Sequence, residues 1–225
     1  MKFFDLNRGE SRRKSKAFAR RCVTMLFDMF PDELHQHVQT VVSILPQKTM
    51  HGHEDQWYGI NEYQLDRRVI NFPDRIYRLE PDDEAIGMLD EIQIDILSCF
   101  YTRSADGFVR EKYLRRILNG EIKDWEIPFI VKLSDEYVVE ILEIIYKHLY
   151  DRNNDDFKAF CRVNKDSTYK SFSRMMSYWD AYYRRRFPDF QNYVGRRLFC
   201  ECYGYTQSYH MKTPMNRSPL DKDPT

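Results

Sequence analysis

The sequence predicts a mainly α-helical protein, built either as a stack of helical repeats or as an irregular helix bundle. Apolar residues recur three and four residues apart through most of the 225 positions, which is the spacing of one helix face. The chain has 16 Tyr, 15 Phe and 3 Trp but only 8 Gly, so it suits packed helices better than the glycine-dependent turns of Rossmann or barrel enzymes. The sequence has no apolar stretch near the ~18 residues that a membrane span needs.

Two amphipathic helices are expected before residue 47. The first spans Ser11 to Phe30, and the second lies between Pro31 and Pro46. The apolar stripe of the first helix consists of Phe18, Cys22, Met25, Leu26 and Met29, and that of the second consists of Leu34, Val38, Val41 and Leu45. Both prolines are placed where a helix breaks or restarts.

Residues 47–80 are expected to form an irregular insertion within a single helical domain that spans residues 1–210. Val69–Phe72 and Ile76–Leu79 flank Pro73-Asp74, so a short β-hairpin near residues 69–79 is the β element that the pattern allows. Residues 211–225 hold three prolines and no aromatic residue, and we expect them to form a disordered tail.

Helical periodicity resumes at Pro81 and continues to the C-terminal region. Asp82, Asp83 and Glu84 provide an acidic first turn for a helix whose stripe is apolar except at Gln93. Further helices are expected, with these stripes: Val109, Tyr113, Leu114, Ile117 and Leu118; Trp125 to Leu133; Val138, Ile141, Leu142, Ile145 and Leu149; Phe157, Phe160 and Cys161; Tyr169, Phe172, Met176, Trp179 and Tyr183; and Phe190, Val194 and Leu198.

Two helix starts within this region match each other. Asp106-Gly107-Phe108-Val109-Arg110 and Asp135-Glu136-Tyr137-Val138-Val139 lie 29 residues apart, and a worn third copy starts at Asp166. In each copy the Asp is placed to cap the helix and the Val to pack inward, which leaves Arg110 at the rim.

This pattern resembles the helix start of HEAT-type repeats over about residues 86–150. The resemblance implies a stack of helix pairs that presents a binding surface. The period is shorter than the ~40–47 residues of HEAT units, and an irregular bundle would give the same helical periodicity.

Candidate metal and catalytic residues do not form a complete set in the sequence. His51-Gly52-His53-Glu54-Asp55 resembles the H-x-H-x-D motif of metallo-β-lactamase-like hydrolases, but Gln56 stands where a further His is usual. His35 and His37 would point about 200° apart on a helix, and Cys200-Glu201-Cys202 lacks a second pair. We therefore expect no bound metal and no cofactor, and a non-enzymatic role is placed ahead of an enzymatic one.

The most distinctive surface feature is expected near the C-terminus. The guanidinium group of arginine can donate two parallel hydrogen bonds to a phosphate or a carboxylate, and neighbouring aromatic rings can stack on nucleic-acid bases. The predicted binding residues are Trp179, Tyr183, Arg184, Arg185, Arg186, Arg196 and Arg197. The alternative is that the aromatic residues belong to the core and the arginines form a solvated rim.

Function is predicted only as a class. The first hypothesis is a non-enzymatic helical adaptor that binds another protein, for which a bacterial immunity-type or regulatory protein is one example. The alternative is a nucleic-acid-binding or nucleic-acid-processing protein, because both ends of the chain are basic although 35 basic and 35 acidic residues balance overall. The N-terminus lacks the apolar run of a signal peptide and the five cysteines are scattered, so a cytoplasmic location is expected.

Overall fold

The computed structural model describes residues 24–46, 49–50 and 58–206. Within these residues the protein is mainly α-helical and carries a two-stranded antiparallel hairpin, so the predicted fold class is confirmed. Residues 24–29 are helical, in agreement with the end of the first predicted helix. The start of that helix, the His51–Asp55 motif and the predicted tail at 211–225 lie outside the described residues.

The secondary-structure elements follow one another along the chain with short connections. The helices are α1 (His35–Ile44), α2 (Asp83–Gly87), α3 (Glu91–Tyr101), α4 (Gly107–Asn119), α5 (Ile127–Leu133), α6 (Val139–Leu149), α7 (Asp155–Val163), α8 (Lys165–Tyr178) and α9 (Val194–Arg197). The strands are β1 (Tyr58–Leu65) and β2 (Arg68–Arg75). Helix α8 continues into a π-helical turn at Trp179–Tyr183, and α9 continues into another at Leu198–Cys202.

The helical stretch predicted after Pro81 is divided into α2 and α3. The Asp82 side chain caps α2 by accepting a hydrogen bond from the Ala85 N–H at 2.8 Å. Asp90 caps α3 by accepting from the Gln93 N–H at 2.8 Å, while the Gln93 side chain accepts from the Asp90 N–H at 3.1 Å. This reciprocal capping box satisfies two backbone donors at the new helix start. It also explains why a polar residue interrupts the predicted apolar stripe.

The hairpin lies earlier in the chain than the sequence indicated. Strand β1 pairs with β2 in a register that places Ile60 opposite Pro73 and Leu65 opposite Arg68, so the turn is Asp66-Arg67 rather than Pro73-Asp74. Every second N–H of a strand in a two-stranded sheet faces away from the partner, so a proline is tolerated there. Within the segment expected to be irregular, the described residues 58–65 and 68–75 are therefore regular β-strands.

One face of the hairpin packs on the helical body. Tyr63 and Phe72 are buried, and the Phe72 ring stacks on Phe129 of α5 at a centroid distance of 4.6 Å. The outer edge of β1 is held by the loop before α8. There the Asn164 amide donates to the Gln64 carbonyl at 2.9 Å and accepts from the Gln64 N–H at 2.7 Å. These contacts fix the hairpin beside α5, α7 and α8.

The two predicted repeat copies differ in their local contacts. Asp106 caps α4 as expected, by accepting from the Phe108 N–H at 2.8 Å. Asp135 does not cap α6, because its carboxylate lies 2.7 Å from the Lys132 ammonium. The expected position of Arg110 at the rim is wrong, since its side chain is fully buried. Val138, which we expected to pack inward, is only partly buried against the core.

Candidate functional site

Three arginines surround one buried carboxylate where the hairpin meets the helices. Glu136 lies in the loop between α5 and α6, and its side chain is fully buried. Its Oε2 atom is 2.6 Å from Arg75 of β2 and 3.4 Å from Arg110 of α4, and its Oε1 atom is 3.1 Å from Arg103. We call these four residues the arginine cluster. A single carboxylate therefore serves as the shared counterion of three guanidinium groups.

Two guanidinium groups of the arginine cluster carry hydrogen-bond donors without a partner in the described structure. They are Nε and Nη1 of Arg103 and Nε of Arg110, all of them buried. The Nη1 atom of Arg110 donates to the carbonyls of Ser104 and Ala105 at 2.8 and 3.1 Å. Burial lowers the pKa of Arg103, and Glu136 opposes that shift. The cluster is thus a region of concentrated positive charge in the interior.

A charged cleft of about 420 Å³ opens beside this cluster. At its floor the Lys132 ammonium is almost fully buried and lies 2.7 Å from Asp135 and 3.0 Å from Asp74. The residues that line the charged cleft are Ile60, Asn61, Glu62, Tyr63, Asp74, Lys132, Asp135, Asp166, Ser167, Lys170, Ser171 and Arg174. The hairpin, α5, the loop after it and α8 each contribute to this lining.

The two carboxylates at the cleft floor have opposite pKa shifts. Burial raises the pKa of Asp135, although Lys132 and Arg174 favour its charged form. For Asp74 burial acts in the same direction, but Lys132, Asn61 and Arg174 together hold its pKa well below the usual range. Asp74 is therefore a fixed negative charge. Asp135, with Ser171 donating to it at 3.1 Å, lies in the more apolar environment.

The described lining of the charged cleft consists mainly of charged and hydroxyl side chains. It offers ion pairs and the hydroxyl groups of Ser167 and Ser171, and no histidine or cysteine is among its described residues. Within the described ranges, no group of three His, Cys, Asp or Glu side chains is placed to hold a metal ion.

The outer face of α8 leads away from the cleft mouth. Lys170, Arg174, Tyr178 and Tyr182 follow at four-residue intervals, so they form one stripe. The Tyr178 ring lies between two others, with centroid distances of 6.0 Å to Tyr137 and 6.2 Å to Tyr182. Tyr182 is 68% exposed and Tyr137 is 48% exposed. We call Tyr137, Tyr178 and Tyr182 the tyrosine ridge.

The two aromatic residues predicted to bind a partner have structural contacts. Trp179 is buried, its Nε1 donates to the Phe187 carbonyl at 2.9 Å, and its ring packs on Phe190. The Tyr183 hydroxyl donates to the Tyr137 carbonyl at 2.5 Å. These contacts hold the π-helical turn against the loop before α6. Trp179 and Tyr183 thus support the surface from beneath, which agrees with the alternative that they belong to the core.

The predicted arginines divide into two groups with different neighbours. Arg184, Arg185 and Arg186 are exposed at the end of the π-helical turn, where Arg184 pairs with Asp180 at 2.9 Å. Arg186 lies over the Phe187 ring at 5.0 Å.

The other two arginines lie on α9. Arg196 donates to the Gln191 carbonyl at 3.4 Å, and Arg197 pairs with Glu201 at 3.0 Å. Arg197 also lies 4.7 Å from the Tyr146 ring centroid of α6. Its charge is therefore partly satisfied within the fold.

The remaining candidates from the sequence also have local partners. The His35 ring stacks on Phe27 at 4.1 Å, and His37 lies 3.4 Å from Asp90. Cys200 and Cys202 carry free thiols, and burial raises the pKa of Cys202 to about 11. A high thiol pKa disfavours the thiolate that redox chemistry or metal binding requires.

Sequence analysis did not identify the charged cleft or the arginine cluster. One usable signal was Lys132, which stands between Val131 and Leu133 in an otherwise apolar helix. A charged residue inside such a stretch is a candidate for a buried, paired group. Its partners Asp74 and Asp135 could not be assigned from the sequence, because only the packing of β2 against α5 brings Asp74 to Lys132.

Comparison with protein-family models, curated protein sequences and solved structures finds no match for this chain. Of the helices in the described part, none has the length and apolar character that crossing a membrane requires. Inference about function therefore depends on the geometry of the chain itself.

Proposed function

We propose that this chain is a helical binding protein that uses the tyrosine ridge and the adjoining mouth of the charged cleft to hold a protein partner. The observation that carries the proposal is the tyrosine ridge. The Tyr178 ring contacts the rings of Tyr137 and Tyr182, these two residues are exposed, and Arg174 lies on the same helix stripe as Tyr178. Tyrosine and arginine are enriched among the residues that contribute most to protein–protein binding.

The rigid support of the ridge favours the same function. Tyr183 and Trp179 fasten the underlying turn through hydrogen bonds to backbone carbonyls. A ring that is already held in place loses less conformational freedom on binding than a mobile side chain does. The mixed charges of Arg174, Lys170 and Asp166 beside the ridge would then determine orientation and partner choice.

A nucleic-acid-binding function is the second candidate, and Arg184, Arg185 and Arg186 next to the ridge favour it. Aromatic rings beside arginines suit single-stranded nucleic acid. The carboxylates of Asp74, Asp135 and Asp166 in the adjoining cleft oppose it, because they would repel a phosphate backbone. For this reason we place the protein-binding function first.

The test begins with a photo-cross-linking amino acid at position 182 in cells of the native host. We expect one saturable protein adduct that mass spectrometry identifies and that nuclease treatment does not remove. With both proteins purified, Tyr178→Ala together with Tyr182→Ala should weaken binding at least about tenfold, the effect of losing ~1.4 kcal/mol. Phe108→Ala is the matched control, because Phe108 is 86% exposed on α4.

Two results would overturn the proposal. Loss of the adduct after nuclease treatment would show that the tyrosine ridge binds nucleic acid rather than a protein. Equal binding by the tyrosine double variant and the Phe108 control would show that the ridge does not contact the partner.

A further inference from the structure

A second concave surface lies between the C-terminal ends of α4 and α6, and it shares no lining residue with the tyrosine ridge. It encloses about 400 Å³ and is lined by Arg115, Leu118, Asn119, Ile144, Lys147, His148 and Arg152. We call it the basic pocket. All four of its ionisable lining residues are basic, whereas the charged cleft mixes both signs.

The charges of the basic pocket are only partly neutralised. Arg115 pairs with Glu111 on its own helix at 2.8 Å. Among the described residues, neither Lys147 nor Arg152 has a carboxylate within ion-pair distance, and the Arg152 guanidinium lies 3.4 Å from His148 Nε2. Two cations and an imidazole therefore face a common volume without a counterion from the described chain.

The pKa of His148 reflects the positive charge around the basic pocket. Burial lowers its pKa first, and the charge of Arg152 lowers it further. An anion placed among Lys147, His148 and Arg152 would act in the opposite direction, since it favours the imidazolium form.

The walls of the pocket restrict what that anion can be. Leu118 is buried and Ile144 is half-buried, so one side of the pocket is apolar. The Asn119 side chain adds an amide, which can donate or accept a hydrogen bond. Guanidinium and ammonium donors on one side and aliphatic carbons on the other suit a charged phosphoryl group attached to an organic body.

We propose that the basic pocket binds a phosphomonoester, with its phosphoryl group between Lys147 and Arg152 and its organic body against Leu118 and Ile144. The phosphoryl group has two possible sources, a free small molecule or the terminal phosphate of a nucleic acid. The proposal does not depend on the tyrosine ridge. Substitutions in either surface can therefore fail without affecting the other.

The experiment uses the full chain with isotope-labelled histidine and follows the His148 ring by NMR across pH. The probes are inorganic phosphate, adenosine 5′-monophosphate and a 5′-phosphorylated single-stranded oligonucleotide, each up to about 10 mM in phosphomonoester or inorganic phosphate so that a ~1 mM site would be filled. Adenosine 5′-monophosphate should raise the pKa of His148 by about 1, as an opposite charge a few ångströms away does. His35, stacked on Phe27, is the internal control and should not respond.

Variants identify the groups that bind. Lys147→Gln and Arg152→Gln should each weaken adenosine 5′-monophosphate binding at least about tenfold, because each removes a charge-assisted contact. Arg162→Gln changes an exposed arginine on α7, outside the pocket, and should leave binding unchanged.

The probes also distinguish the sources. Tighter binding of the monophosphate than of inorganic phosphate supports a small-molecule ligand. Tighter binding of the oligonucleotide, with a strong dependence on salt, supports the nucleic-acid source of the same phosphoryl group. The proposal is overturned if the pKa of His148 stays unchanged with every probe, or if Arg162→Gln weakens binding as much as the two pocket variants do.

Discussion

Replacing Glu136 by glutamine would test whether the arginine cluster depends on its shared counterion. The substitution keeps the size of the side chain and removes its negative charge. Arg103 and Arg110 are fully buried, and Glu136 is the carboxylate that contacts both of them, at 3.1 and 3.4 Å. Arg75, 2.6 Å from the same carboxylate, is partly exposed and can be rehydrated. The variant therefore leaves two buried cations without that counterion.

The expected loss follows from the burial of those two arginines. Breaking a buried ion pair by removing one partner costs about 3–5 kcal/mol, a large part of the ~5–15 kcal/mol by which a typical domain is stable. Glu111→Gln is the matched control, because Glu111 pairs with Arg115 on the exposed face of α4. That substitution should cost less than about 0.5 kcal/mol.

Urea unfolding followed by circular dichroism measures both variants. The urea concentration at the midpoint of unfolding should be much lower for Glu136→Gln, while the slope of the free energy of unfolding against urea concentration stays the same. Adding Arg110→Met should recover part of the loss, because it removes one of the uncompensated charges. A loss below about 1 kcal/mol, or one equal to that of the Glu111 control, would refute a shared-counterion role for Glu136.

Three further predictions concern titration, packing and thiol reactivity. Burial raises the pKa of Glu126 from 4.5 to about 7. The free energy of unfolding should therefore fall as pH rises between these values, by up to about 3 kcal/mol. Glu126→Gln should flatten that pH dependence. Gly195→Ala should lower the free energy of unfolding in urea by about 1–3 kcal/mol, because an added Cβ would lie 2.8 Å from neighbouring side-chain atoms. At Gly87 an added Cβ meets no atom within 4 Å, so Gly87→Ala should raise the free energy of unfolding by up to about 1 kcal/mol. Peptide mapping after N-ethylmaleimide treatment should find Cys200 modified well before Cys161, because Cys161 is fully buried and its pKa is raised to about 12.

Each of these predictions has a contrary outcome. Stability that does not fall between pH 4.5 and 7, or a fall that Glu126→Gln leaves in place, would mean that burial does not raise the pKa of Glu126. Equal melts for the two glycine variants would show that the surroundings of Gly195 adapt freely. Modification of Cys161 at the rate of Cys200 would indicate frequent opening of the helical body.

The helices were predictable from sequence because the pattern that identifies them involves residues only three or four positions apart. The stripe at Val109, Tyr113 and Ile117 gave α4, and Gly120 marked its end. The hairpin was misplaced because Pro73-Asp74 is a typical turn pair, whereas the true turn, Asp66-Arg67, has no glycine and places Asp66 at a φ of 52°. Proline was thus a misleading turn signal in a strand with an unpaired edge.

The candidate sites depended on long-range packing that no local pattern encodes. Arg110 follows a buried valine and was expected at the rim, yet it is buried because Glu136 supplies a counterion from the loop beyond α5. The sequence placed binding on Trp179 and Tyr183, whereas the rings of the tyrosine ridge are those of Tyr137, Tyr178 and Tyr182. Tyr137 lies in the loop before α6, so its contact with Tyr178 depends on how that loop packs against α8.

Helix α8 has a consequence for self-association through its contacts with β1. An exposed strand edge is a template on which a second chain can add its own strand, and this is a common origin of fibrous aggregates. Asn164 occupies both backbone groups of Gln64 on that edge, and the Ser167 hydroxyl donates to the Glu62 carbonyl at 3.3 Å. An amide and a hydroxyl thus take the positions that an incoming strand would need at Glu62 and Gln64, so this part of the β1 edge is closed to cross-β growth.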